Sequence, residues 1–308
     1  VFVHILAVLA PIFGLILTGF LCRRFQLIGP TAASELNRFV VWLCLPALIF
    51  ESTATARLED IWHPGFIWVT IIATLGVFAA TVIWKLCSGR GLASASIDGL
   101  GAGYANTGYV GIPLCLLVLG DEGLEPALIA SLIVVCLLFA LAVVLIEVGL
   151  QTEKRLWPAV RKVSLALAKN PLVVTPIIGG LWNVLDIGLN QPAMTFLDML
   201  GGATTPCALV SLGAFLAAKH TGSTNGAYGL VALKLVVHPL ITWILAYHVF
   251  HLPEFWAKAA VLLAALPTGT GPYMLAELYQ REPAVVSRTI LFSTVGSLVS
   301  LSVLLAWL

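Results

Sequence analysis

Two short runs that an α-helix does not carry easily lie inside stretches apolar enough to cross a bilayer: Asn106-Thr107-Gly108-Tyr109-Val110-Gly111-Ile112-Pro113 and Pro267-Thr268-Gly269-Thr270-Gly271-Pro272. In hydrocarbon, backbone groups freed by such a break find no water, so an interrupted span survives only where protein buries it or a wet cavity adjoins it. A pair of interrupted segments at corresponding places in two halves of a chain points to the substrate site of a secondary transporter.

The bilayer as solvent follows from the composition. The 308 residues are 60% hydrophobic and only 10% charged, with a mean hydropathy of +1.02, whereas soluble domains are about 25% charged. A soluble fold of this composition would expose large apolar patches. The net charge of +1 gives no basis for nucleic-acid binding. Cys22, Cys44, Cys87, Cys115, Cys136 and Cys207 are scattered through or beside apolar runs, without a Cys-x-x-Cys pair or a His cluster at ligand spacing. They read as small core residues, and neither metal nor cofactor is expected. The first apolar run is followed, not preceded, by its basic residues Arg23 and Arg24, which predicts a retained span in place of a signal peptide.

Runs of the length a bilayer demands fall near 3–22, 35–51, 65–87, 98–118, 124–149, 167–185, 195–217, 226–250, 256–279 and 285–307. The fold class expected is therefore an all-α polytopic membrane protein with ten transmembrane helices, the fourth and ninth broken. Connections following odd-numbered spans carry thirteen of the sixteen Lys and Arg residues, and the opposite side only Arg57 and Lys258. Positive loops stay cytoplasmic, so both termini are predicted to be non-cytoplasmic, in a bacterial inner (plasma) membrane.

An internal repeat accompanies the spans. Pro11 and Pro171, Gly19 and Gly179, Leu21 and Leu181, and Pro46 and Pro206 are each 160 residues apart, and Asn106-Thr107-Gly108 aligns with Pro267-Thr268-Gly269 at 161. The expected organisation is a first five-helix repeat over 1–150, a cytoplasmic connecting loop over 151–169 and a second repeat over 170–308. Five is odd, so the second half must thread the membrane in the opposite sense. A 5+5 inverted repeat follows, with broken helices 4 and 9 crossing near the midplane and alternating access as the mode of transport.

Where a helix restarts after a break, its first amides lack intrahelical partners and its dipole presents partial positive charge. Such an end suits an anion. Restarts are expected after Pro113 and after Pro272, with Gly108, Gly111, Gly269 and Gly271 letting a ligand approach the backbone. Asn106, Thr107, Tyr109, Thr268, Thr270 and Tyr273 supply neutral donors and acceptors. Lys234 stands deep in span 8 with His238 at i+4 on the same face and Pro239 beside them. Intramembrane charge usually marks function: Lys234 could complement a carboxylate, or bond carbonyls freed near the proline, and His238 could relay a proton or be a satisfied core histidine. No Asp pair or lone Asp lies mid-span, and Glu51, Glu147 and Glu277 fall towards span ends, which argues against a cation exchanger.

These motifs resemble the auxin efflux carrier family, which includes the plant PIN-FORMED carriers and bacterial permeases for malate or malonate. The resemblance rests on Asn106 to Leu114 (NTGYVGIPL), Ala265 to Gln280 (ALPTGTGPYMLAELYQ), Lys169-Asn170-Pro171, Ser211-Leu212-Gly213 and Lys234 ahead of Pro239. It implies a homodimer of ten-span subunits that binds a carboxylate at the crossover through Asn106, Thr107, Pro113, Pro267, Thr268, Gly269 and Pro272. The long hydrophilic loop of many plant members is replaced here by the short 151–169 connection, so a small mono- or dicarboxylate is as well supported as an indole carboxylate. Two other readings stay open: a sodium- or proton-coupled symporter of the bile-acid type, and a membrane sensor that binds the anion without moving it. An enzyme is not expected, since no nucleophile, base and orienting residue assemble from these polar groups.

Overall fold

The computed structural model describes residues 2–55, 63–150, 161, 164–165, 168–169, 171–218, 226–281 and 283–307. Arg57, Asn170, Lys219 and most of the connecting loop expected over 151–169 lie outside the described residues. The described residues form helices and no strand, apart from one isolated antiparallel bridge between Ala105 and Thr268. In chain order the helices are α1 (Phe2–Arg24), α2 (Ala32–Thr55), α3 (Pro64–Cys87), α4 (Leu92–Gly103), α5 (Thr107–Leu119), α6 (Asp121–Leu150), α7 (Pro171–Val184), α8 (Gln191–Leu216), α9 (Ala227–Val249), α10 (Glu254–Ala264), α11 (Gly271–Leu278) and α12 (Pro283–Trp307). Every expected apolar run coincides with one helix or, for the two interrupted runs, with two. Among the described residues six helices are long and apolar enough to cross a membrane: α2, α3, α6, α8, α9 and α12.

Three of the prolines inside these helices share one feature. Widened π-type turns at Val40–Cys44, Thr107–Gly111 and Leu233–Val237 each end two residues ahead of a proline, Pro46, Pro113 and Pro239. A proline has no amide hydrogen to return to the carbonyl four residues back, and its ring crowds that carbonyl. One wide turn just ahead of it absorbs both mismatches without ending the helix.

The chain divides into two compact units, each drawing on both halves of the sequence. The unit formed by residues 10–63 and 166–218 holds most of α1 together with α2, α7 and α8. Its helices meet at glycines. A Cβ on Gly19 would fall on the Val210 carbonyl group, one on Gly213 would fall on the Ile16 carbonyl, and one on Gly179 would meet Thr53 and, at 3.1 Å, the Phe50 carbonyl oxygen. Small residues let membrane helices bring their backbones together, which replaces the hydrophobic drive that lipid removes. Hydrogen bonds reinforce the contacts: Ser211 Oγ donates to the Ala33 carbonyl at 3.1 Å, and Asn183 Nδ2 to the Ala54 carbonyl at 2.9 Å. Gly213→Ala is expected to destabilise this unit by about 2 kcal/mol or more, the range for overpacking a tight contact. Thermal unfolding of the purified protein in detergent measures it, and an unchanged transition would contradict the packing.

The unit formed by residues 1–9, 64–165 and 219–308 contains α3 to α6 and α9 to α12. α4 packs against α3 and α6, and α9 against α10 and α12. Val77, Ala102, Ala227, Leu230 and Val285 form a buried cluster with Leu233, Ile241 and Phe292 around it. At one end, Asp98 of α4 is buried and ion-paired with Lys85 of α3 at 3.3 Å and with Arg90 at 3.5 Å. Both interrupted segments belong to this unit.

Candidate binding site at the paired helix breaks

α4 stops at Gly103, and Tyr104 to Asn106 leave the helical conformation, with φ −79° and ψ 92° at Tyr104 and φ −78° and ψ 60° at Asn106. The second interruption covers Ala265 to Thr270, between α10 and α11. The two breaks satisfy each other. Asn106 N donates to the Pro267 carbonyl at 2.9 Å, and Gly269 N donates to the Tyr104 carbonyl at 3.0 Å. Thr268 is tied down twice more: its N–H donates to Ser293 Oγ of α12 at 3.0 Å, and its hydroxyl to the Gly101 carbonyl of α4 at 2.8 Å. Backbone groups that would each cost several kcal/mol in hydrocarbon are thereby paired inside protein.

The helices resume earlier than expected. α5 begins at Thr107, six residues ahead of Pro113, and α11 begins at Gly271, so Pro272 sits within its first turn. A proline costs no hydrogen bond in a first turn, where the amide has no intrahelical acceptor. The motif Asn106 to Pro113 is thus mostly the restart, and the break itself is the Tyr104-Ala105-Asn106 segment just before it. Asn106 caps α5: its carbonyl accepts from Val110 N at 3.1 Å and Gly111 N at 2.9 Å, and its Oδ1 from Tyr109 N at 3.4 Å. Its side-chain Nδ2 is buried and has no partner.

The four glycines differ in what they face. Gly108 meets nothing within 4 Å and opens onto free space. Gly111 packs on Leu266 and Leu263, while Gly269 and Gly271 lie against the Tyr104 ring. Thr107, Tyr109, Pro113, Pro267 and Thr268 are buried, and Thr270 and Tyr273 are half-buried.

Lys234 is fully buried in α9. Its Nζ donates to the Ala264 carbonyl at 2.6 Å and lies 3.1 Å from Nδ1 of His238, and Nε2 of His238 is 3.4 Å from Thr74 Oγ1. Ala264 is the last residue of α10, so the ammonium caps a helix end that carries negative partial charge. That acceptor belongs to α10 and is not one of the carbonyls near Pro239 that the sequence suggested. Beside it, Thr74, Thr107, His238 and Thr242 help line a small cavity of about 10 Å³, near the least that holds one water.

Two features escaped the sequence. Asp98 is a buried carboxylate, but it is held by two cations from a sequence-adjacent corner and is not poised alone in mid-span. Tyr279 donates to Glu147 at 2.6 Å and joins the end of α11 to the end of α6; nothing in the linear sequence relates those residues. Among the described residues no cluster of His, Cys, Asp or Glu could hold a metal ion.

The sequence model of the family described as "Membrane transport protein" matches residues 4–305. A Rhizobium meliloti protein described as "Putative malonate transporter" is 30% identical over 306 residues, covering 98% of this chain and 95% of that protein. Auxin efflux carrier component 8 of Arabidopsis thaliana is 25% identical over 371 residues, covering 99% and 96%. An uncharacterized transporter of Methanothermobacter thermautotrophicus is 29% identical, covering 93% of each.

Proposed function

Because this chain belongs to the membrane transport protein family, which includes the auxin efflux carriers, and is an integral membrane transporter, we propose that it moves a small organic anion by alternating access. The carboxylate binds where the two interrupted helices pair. The observation that carries the reading is the buried, unpartnered Nδ2 of Asn106 beside the open face of Gly108, at the amino-terminal end of α5. An unpaired buried donor costs about 1–3 kcal/mol, and a carboxylate oxygen offsets that cost while taking up the helix dipole. Thr107, Gly108, Tyr109 and Pro113 belong to the restart on one side, and Pro267, Thr268, Gly269, Thr270, Gly271, Pro272 and Tyr273 to the other. Lys234 acts from behind by neutralising the carbonyl end of α10, with His238 fixed between it and Thr74. The Rhizobium relative supports malonate as the first anion to test.

Ten spans in two inverted sets of five are part of the same proposal. Gly19 approaches the carbonyl group of Val210, and Gly179 approaches that of Phe50; the pairs 19 and 179, and 50 and 210, are each separated by 160 residues. Equivalent contacts at the spacing of the sequence repeat support two copies of one motif. The charge bias supports non-cytoplasmic termini in a plasma membrane, and a homodimer is the assembly proposed from the family resemblance.

Reconstitution into proteoliposomes tests the reading. Labelled malonate, malate and indole-3-acetate are supplied outside, and saturable uptake of at least one carboxylate is expected. Binding by calorimetry with zero flux would replace the carrier with a sensor. Uptake that requires a sodium gradient would favour the cation-coupled symporter.

A further inference from the structure

We infer that Tyr104 is a specificity-determining residue that limits the size of anion the crossover admits, an inference that rests on the carboxylate site proposed above. Its backbone is anchored to the opposite break, since the Tyr104 carbonyl accepts from Gly269 N. Its ring lies along the chain leading into α11. A Cβ on Gly269 would stand 2.9 Å from Cε1 and 3.0 Å from Cδ1 of the ring; one on Gly271 would stand 2.7 Å from Cζ and 3.0 Å from both Cε2 and Oη. Real Cβ atoms do not come so near, so the ring can rest there only because both residues are glycine. The ring also meets Phe139 edge-on, with centroids 6.1 Å apart.

Two glycines that would otherwise expose backbone to a ligand therefore seat a phenol. The volume over the first residue of α11 is filled, and the Tyr104 hydroxyl stands where an anion at that helix end would reach. In this reading a three- or four-carbon carboxylate binds over the open face of Gly108 without displacing the ring. The fused rings of an indole carboxylate need the volume that the phenol holds. The site is accordingly built for small aliphatic mono- or dicarboxylates, and a larger aromatic carboxylate is excluded by Tyr104 itself.

Proteoliposomes containing the full chain test this with labelled malonate and indole-3-acetate. Wild-type protein takes up malonate in strong preference. Tyr104→Ala raises the ratio of indole-3-acetate to malonate uptake by about tenfold or more, the scale of discrimination that pocket volume supplies, while Tyr104→Phe keeps the wild-type ratio because the ring remains. Gly271→Ala alone lowers malonate uptake, because its methyl group collides with the ring, and Tyr104→Ala in the same chain restores it. Should Tyr104→Ala not yield a monodisperse protein, Tyr104→Leu reads the same ratio after a smaller truncation. An unchanged ratio in the active truncation, failure of Tyr104→Ala to rescue Gly271→Ala, or equal wild-type uptake of both anions overturns the role of Tyr104 and leaves the carrier reading intact. No flux of any carboxylate in any variant overturns the carrier reading itself.

Discussion

Asn106→Ala is expected to abolish carrier-specific uptake without lowering stability. Most side chains buried in a core fail together when truncated, with lost function following lost fold. Asn106 is different because its Nδ2 has no partner. Removing an unpaired buried amide relieves a desolvation cost of about 1–3 kcal/mol, and losing the 3.4 Å cap to Tyr109 N costs about 1 kcal/mol in the other direction. The two oppose each other and leave a net change between about 0 and 2 kcal/mol in favour of the variant, so thermal unfolding in detergent should not fall. Affinity has no such compensation: a hydrogen bond to a charged group is worth about 1.5–3 kcal/mol, or roughly a 10- to 150-fold loss of binding. Asn106→Asp sharpens the test by keeping the shape and placing a negative charge where the anion belongs. Wild-type uptake by Asn106→Ala would remove Asn106 from the site; a large drop in stability would show that the side chain holds the break together instead.

Lys234→Ala is expected to do the opposite, destroying stability and transport at once. The ammonium is fully buried and donates to the carbonyl that ends α10. Truncation leaves that carbonyl unsatisfied, at about 1.5–3 kcal/mol for a bond from a charged donor, and opens a cavity that adds about 2 kcal/mol. Lys234→Met refills the volume but not the bond, so it should recover about the cavity share alone. If Lys234 instead served the anion directly, both variants would fold normally and lose uptake. The ordering Ala below Met below wild type in thermal unfolding separates the two.

Much of this architecture was legible in the linear sequence because lipid is an unforgiving solvent. A run that must bury its own backbone polar groups is long, apolar and helical, so its position can be read from composition, and each of the ten apolar runs lies on helix. The interrupted runs were also visible, since Asn106, Pro113, Pro267 and Pro272 stand out in an apolar background. Less legible was where the interruption lies. Proline dominates a motif to the eye, yet Pro272 belongs to a first turn that tolerates it and Pro113 follows a widened turn that absorbs it, while the bends are made by Tyr104 to Asn106 and by Ala265 to Thr270. The partner of Lys234 was open because a carbonyl is present at every residue; which one a lysine reaches depends on how α9 lies against α10.

The sequence by itself determined that the chain is helical and membrane-embedded, and that two of its apolar runs are interrupted 161 residues apart. Those features depend on neighbours along the chain and on the solvent, and both are encoded locally. Only the tertiary structure decided that the breaks hydrogen-bond to each other, that Lys234 is spent on Ala264, and that Gly269 and Gly271 lie under Tyr104 while Gly108 stays open. Each is a contact between residues far apart in sequence. A glycine permits close approach but does not say of what, and a donor permits a hydrogen bond but does not name its acceptor; packing supplies both.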